Sequence, residues 1–564
     1  MCRLFTVDRL GGYAVVVALS FGLLLSLTAC GGDDGGSTVD TVDELSPELA
    51  QLSGVELLTR LSMDLRGYRP TVAEIELIEA DPGEIEVLIE QFLHSDSFGA
   101  QIRSAYSNIY LTRLDYYYIS AEDYGLYDEA LFAASVGEEP LRILSHIVEN
   151  DLPYTEVVRG DWTMANEILA EAWELDYPEG ESGWQQSTYT DSRPAGGVLS
   201  TNSFWWRYMS NTSNANRGRA SAIAKTFLCV DYLSKPIEFD RTVNLLDASA
   251  VSDALKNNEG CVACHATLDP LASFLWGFYY YDYDSREDVS IYHPEREKLW
   301  EEYTDVPPGY FGEPGYTLED LTRGIAGDSG FIECAVEQAF EIFMGRPSEL
   351  SDTARMTEHR EAFISNGLVL RDLYRSILSD PLYRSQPIDP VDSLTEPNPA
   401  QMKMISTDQM ASQLEELTGF RFSYYGYDMM TTDSYGLRTL AGGVDGSYVT
   451  APAQNPTSTM ILVQERLAQA AANYAVSQAL AGYPPAILEN IGFFETPTTD
   501  RDLFVEQIQM LHLTIFGERV DADGPEVEAN IELWEQLLEI DGEISTAWEG
   551  LLSVLFRDPD FMVY

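Results

Sequence analysis

The sequence predicts a mainly α, multi-domain protein built from repeated helical modules, and three observations carry that prediction. Apolar positions recur at intervals of three and four, most clearly over 367–378 (GLVLRDLYRSIL), as an amphipathic helix requires. A run of apolar residues followed by Gly and Arg occurs three times, at 63–69 (MDLRGYR), 342–346 (IFMGR) and 515–519 (IFGER). Strand signals are few and short. With 45% hydrophobic and 11% aromatic residues, the chain has the material for packed cores. Its 564 residues suggest several domains rather than one.

Residues 1–29 carry Arg3 and Arg9, an apolar run over 13–27 and then LTAC at 27–30. This is the pattern of a signal peptide: a positive start, a short apolar stretch and a small-residue cleavage site. The LTAC tetrad resembles the lipobox of bacterial lipoproteins, which implies cleavage before Cys30 and lipidation of Cys30. An uncleaved membrane anchor is the alternative. Residues 30–48 read as a flexible acidic tether. Gly31 stands where an inner-membrane retention signal has Asp, so the expected location is the cell envelope. The outer membrane or cell surface is favoured there over the periplasmic face.

Residues 49–180 are expected to form an N-terminal helical domain that opens on the first module. Each module reads as a helix closed by Gly in the left-handed conformation, a loop, and two further helices. Each ends alike, at 93–98 (LHSDSF), 378–383 (LSDPLY) and 556–561 (FRDPDF), where Ser/Asp stops a helix before an aromatic residue. The copies lie too far apart for a solenoid and hold no catalytic cluster. Packing, or a docking surface, is their expected role.

Residues 181–385 hold the chemistry. Once Cys2 and Cys30 are set aside, four of the six cysteines remain, and CVACH at 261–265 is a c-type haem attachment motif. Two cysteines about one helical turn apart can each form a thioether to a haem vinyl group, and the next residue, His265, then faces the iron. The alternatives are three zinc ligands, with Cys229 or Cys334 as the fourth, and a redox dithiol. Cys229 and Cys334 flank this segment in an oxidising compartment and are expected to pair as a disulfide; two buried free thiols are the alternative.

Around the motif the sequence runs GCVACHATLDPL at 260–271 and FLWGF at 274–278. This resembles the planctomycete-type cytochrome c proteins, exported chains of several blocks whose haem segment reads C-x-x-C-H-x-x-(M/L)-D-P-L before an aromatic-rich stretch. Residues 193–200, 212–219 and 331–346 resemble the neighbouring blocks, and Cys334 corresponds to a family cysteine. The last third departs from the family order. The resemblance implies one covalent haem c, held by Cys261 and Cys264 with His265 as the proximal iron ligand, and leaves the substrate open. Met209, Met344, Met356 and His293 are candidates for the distal position, with Met209 preferred. Arg217 and Arg219 are scarce positive charges that could pair with haem propionates, or simply with carboxylates.

Residues 386–400 (QPIDPVDSLTEPNPA) form a Pro-rich linker, and 401–564 a C-terminal helical domain. Within it 402–419 and 460–480 read as helices, and 424–454 as an irregular Gly/Tyr/Thr-rich stretch. Asp282, Asp284, Glu287 and Asp288 form one acidic cluster, and Asp521 and Asp523 precede Gly524. Composition alone accounts for both, and calcium is the weaker reading. His94, His146, His359 and His512 read as capping or core residues. The chain has no P-loop, dinucleotide fingerprint or nucleophile elbow.

The 92 Asp and Glu face 34 Lys and Arg, a net charge of −58, which excludes nucleic acid as a partner. Only five of those bases are Lys. A salt-adapted surface and an ordinary solvated acidic exterior both fit. The expectation is an exported monohaem c-type cytochrome-like protein, anchored to the lipid bilayer by its N-terminal lipid. It would pass single electrons at the cell envelope, as an electron carrier rather than an oxidoreductase enzyme. Its partner would be a basic redox protein or a small electron-carrying molecule. Two alternatives stay open: a haem enzyme acting on a small molecule at an open iron site, and a non-redox surface binding or scaffold protein with zinc or a disulfide at CxxCH.

Overall fold

Three glycines in the left-handed conformation punctuate the chain. Gly67 closes helix Gly54–Arg66 (φ 82°), Gly345 closes Ser329–Met344 (φ 65°) and Gly517 closes Arg501–Phe516 (φ 75°). A Cβ in that conformation costs roughly 1–2 kcal/mol, which is why Gly occupies these ends. Two more helices follow each one: Val72–Ala80 and Ile85–Leu93, Thr353–Ser365 and Leu370–Leu378, Pro525–Asp541 and Ile544–Leu555. The computed structural model describes residues 49–234, 243–244, 246–278, 289–387, 398–424 and 426–564. The signal segment, Cys30, the tether, the acidic cluster at 282–288 and linker residues 388–397 lie outside the described residues.

The described chain is mainly helical. Its strands pair as short two-stranded antiparallel sheets: Thr163–Ala165 with Gln185–Ser187, Gly309–Tyr310 with Glu313–Pro314, and Ser423–Tyr424 with Tyr427–Asp428. No helix among the described residues is long and apolar enough to cross a membrane.

Residues 49–564 form one compact unit with two main cores. The larger gathers apolar side chains of the first and second modules and of the CxxCH segment, among them Leu61, Phe204, Phe227, Leu275, Phe340 and Leu373. The second lies in the last third, around Trp534 and Trp548, and includes Met63 from the first helix. Each fully buried side chain of this size stabilises the fold by roughly 2–3 kcal/mol.

Polar contacts stitch the last third to the first module and to the helix Asp96–Tyr110 and the residues just after it. Arg69 donates to the carbonyls of Asp560 (2.7 Å), Val563 (3.0 Å) and Phe516 (3.3 Å). Lys403 meets Asp64 at 2.5 Å, and Asp408 accepts from Arg113 (2.8 Å) and Ser104 (2.5 Å). The Arg of the second module has other partners: Arg346 grips Asp352 at 2.7 and 2.9 Å and donates to the Asn398 carbonyl at 2.6 Å. One sequence signal thus serves two tertiary tasks.

Candidate cofactor-attachment site

The CxxCH motif sits on helix Glu259–Ala272. Asn258 caps it by accepting from the Gly260 N–H at 3.1 Å, and Glu259 adds negative charge in the first turn, where the helix dipole favours it. With 3.6 residues per turn, Cys261, Cys264, His265, Leu268 and Asp269 share one stripe. Leu268 and Asp269 are buried, while Cys261, Cys264 and His265 are part-exposed. The motif end of the stripe therefore meets solvent, and its C-terminal end is packed. The helix lies against Ala248–Asn257, Arg217–Leu228 and the Gly309–Tyr310 strand.

Both motif cysteines are free thiols. The His265 Nδ1 lies 2.8 Å from Asp269 Oδ1, the i,i+4 neighbour one turn on. Its Nε2 makes no hydrogen bond among the described residues. Asp269 in turn accepts two bonds from Arg217, Nε to Oδ1 at 2.7 Å and Nη2 to Oδ2 at 2.9 Å. Burial alone would push the Asp269 carboxyl up. The hydrogen bonds from His265 and Arg217 and the Arg217 charge outweigh it and hold the group below its usual value.

Arg217 opens helix Arg217–Leu228, an end where the dipole disfavours a cation, and Asp269 compensates. Arg219 is fully buried; it donates to the Tyr208 carbonyl at 2.9 Å and to Asn216 Oδ1 at 3.2 Å, and its guanidinium lies 5.4 Å from the Trp205 ring centre. Neither arginine stands as an isolated surface cation.

Cys229 and Cys334 form a disulfide. It ties the end of helix Arg217–Leu228 to Ser329–Met344 and encloses the CxxCH segment in one covalent loop. Neither sulfur is then a thiolate that could complete a zinc site with the motif. Among the described residues no three His, Cys, Asp or Glu side chains gather as a metal-ion cluster.

The remaining candidates are scattered. Met209 follows helix Asn202–Arg207 and is 40% exposed, whereas Met344 is sealed in the core. Met356 lies half-buried on helix Thr353–Ser365, and the buried His293 has its Nδ1 2.9 Å from Glu295. Asp521 and Asp523 are exposed in the turn that enters helix Pro525–Asp541. His94 and His146 bond back within their own helices' ends, and His512 meets Asn530 at 3.0 Å. His359 links Ser376 (2.8 Å) to Asp380 (3.1 Å).

The motif residues fit the attachment of a c-type haem. Two free, part-exposed thiols lie a turn apart beside an imidazole whose other nitrogen is held by a carboxylate. Sequence reasoning missed the role of Asp269, and it offered Arg217 a carboxylate partner without naming which one. The i,i+4 spacing of His265 and Asp269 signals the first; nothing local signals Arg217, 52 positions from its partner. Comparison with protein-family models, curated proteins and solved structures gives no match.

Proposed function

We propose that this chain is an exported, lipid-anchored cytochrome-like protein that carries one covalent haem c and passes single electrons at the cell envelope. The observation that carries the reading is the stripe of Cys261, Cys264 and His265, with His265 Nδ1 engaged at 2.8 Å and Nε2 left for iron. The resemblance of residues 260–278, which include this motif, to the planctomycete-type cytochromes also supports it.

In this reading Cys261 and Cys264 would carry the thioethers and His265 would hold the iron, with Met209 the preferred candidate for a second iron ligand. The bound haem would supply a reversible one-electron couple. The chain's own contribution is to hold the imidazole ring and the two sulfurs on one rigid helix. Its net charge of −58 favours a basic redox partner, with association rates that fall as salt rises.

Production in a host competent in cytochrome c maturation tests the reading. The expected product has a haemochrome spectrum and keeps its haem through denaturing electrophoresis. Replacing Cys261 and Cys264 together by Ala should abolish covalent haem. Folded protein with no iron porphyrin, or with stoichiometric zinc, would overturn the proposal.

A further inference from the structure

We infer that Arg217 and Asp269 are a positioning pair that presets the tautomer of His265 and sets the strength of the bond its Nε2 can make to iron. The iron half of this inference rests on the cytochrome reading; the tautomer half does not.

An ionised carboxylate only accepts hydrogen bonds, so a neutral imidazole 2.8 Å from Asp269 Oδ1 must place its proton on Nδ1. That leaves the Nε2 lone pair as the ligand. Asp269 is buried and also accepts from two Arg217 nitrogens, at 2.7 and 2.9 Å, which restrains its rotation. Arg217 Nε and His265 Nδ1 share the same oxygen, Oδ1. Arg217 therefore also draws charge from the acceptor that His265 uses.

The two residues then act in opposite directions. A carboxylate partner makes the imidazole more basic and favours ferric iron. Asp269→Asn weakens that push, while Arg217→Leu frees Asp269 to push harder.

Two measurements test this. In haem-free protein, nitrogen-15 NMR of the His265 ring should show the Nδ1–H tautomer exceeding the Nε2–H form by about tenfold or more, as expected for a hydrogen bond to a charged group. In Asp269→Asn the ratio should fall to near one or reverse, because Arg217 claims the amide oxygen and turns the NH₂ group toward Nδ1. In haem-loaded protein, Asp269→Asn should shift the reduction equilibrium about tenfold toward ferrous iron, or ~59 mV upward for one electron.

Arg217→Leu should shift that equilibrium downward in the native background but leave it unchanged when Asp269 is already Asn. Asp269→Glu, which keeps the charge but displaces the oxygens, should not restore the native potential. An Nε2–H tautomer in the native haem-free protein overturns the proposal. So do additive effects of the two substitutions, since additivity means that each charge acts through space alone. If the native protein takes up no haem, the cytochrome reading fails, and the tautomer ratio still decides the role of the pair.

Discussion

At the scale of single residues, the clearest physical problem the fold has solved is Glu139. It is fully buried, and its oxygens accept from Thr163 (2.7 Å), Tyr189 (2.8 Å) and Ser203 (2.5 Å). Burial raises its pKa above the usual 4.5, and the three hydroxyl bonds and the Arg193 charge offset only part of that rise. The folded state thus keeps this proton to higher pH than the unfolded chain does. Stability from this group is full below about 4.5 and is lost as pH rises through the raised value. Glu139→Gln should flatten the pH dependence of the urea midpoint in that window and leave the protein at least as stable at neutral pH. An unchanged slope would show that the carboxyl does not titrate there.

The same scale shows what single positions disclose in advance. His265 and Asp269 stand four apart, and a helix brings such residues together whatever the rest of the chain does. Glu139 gives no such warning, because Thr163, Tyr189 and Ser203 reach it from separate segments. His359 is similar: its place between Ser376 and Asp380 depends on how two helices cross.

At the scale of elements, the helix stops were legible because their cause is local. A helix end that needs a left-handed residue selects Gly at 67, 345 and 517, and all three adopt that conformation. Their surroundings differ, and so should the cost of adding a methyl group. At Gly517 a Cβ meets nothing closer than Thr59 Oγ1 at 3.5 Å, so Gly517→Ala should cost only the backbone strain, roughly 1–2 kcal/mol. At Gly345 the Cβ falls 2.7 Å from Lys403 Cγ, whose ammonium is committed to Asp64. Gly345→Ala should therefore lose more, measured as the difference between the two urea midpoints; equal losses would show that the Lys403 side chain yields freely.

Helix pairs also need fastening. The Cys229–Cys334 bridge spans 105 positions. Closing a loop of that length removes disorder from the unfolded chain, worth on the order of 3–5 kcal/mol. Cys229→Ser with Cys334→Ser should lower the thermal midpoint, and added reductant should then have no further effect. A midpoint equal to the native one would mean that packing alone holds the two helices.

At the scale of the whole molecule, the last third is fastened to the first module by buried charge. Asp64 accepts from Lys403 (2.5 Å), Tyr383 (2.9 Å) and Tyr564 (2.9 Å), which brings three distant segments to one carboxylate. Burial lowers the Lys403 pKa, and the attraction of Asp64 offsets part of that. Removing one member of such a pair strands the other, at about 3–5 kcal/mol. Lys403→Met should destabilise by that order, and Lys403→Met with Asp64→Asn should recover much of it. Because the contact joins the last third to the first module, calorimetry should show the main transition shifting as one; an early melting of the last third alone would count against this coupling.

Sequence alone determined what one or two helical turns can determine. Backbone geometry places residues three and four apart on one face, so the stripe of Cys261, Cys264 and His265 and the glycine-closed helix ends follow from spacing. The acidity, a net charge of −58, follows from composition. The cysteines left over beside the CxxCH motif also pointed to the Cys229–Cys334 bridge, which the structure forms. Tertiary structure decided the rest: that Arg217 grips Asp269, and that Lys403 and Tyr564 close on Asp64. Each of these joins residues tens to hundreds of positions apart. The entropy of closing such a loop changes only slowly with its length. Local pattern therefore carries no mark of which distant partner is chosen, and the packing of the cores makes that choice.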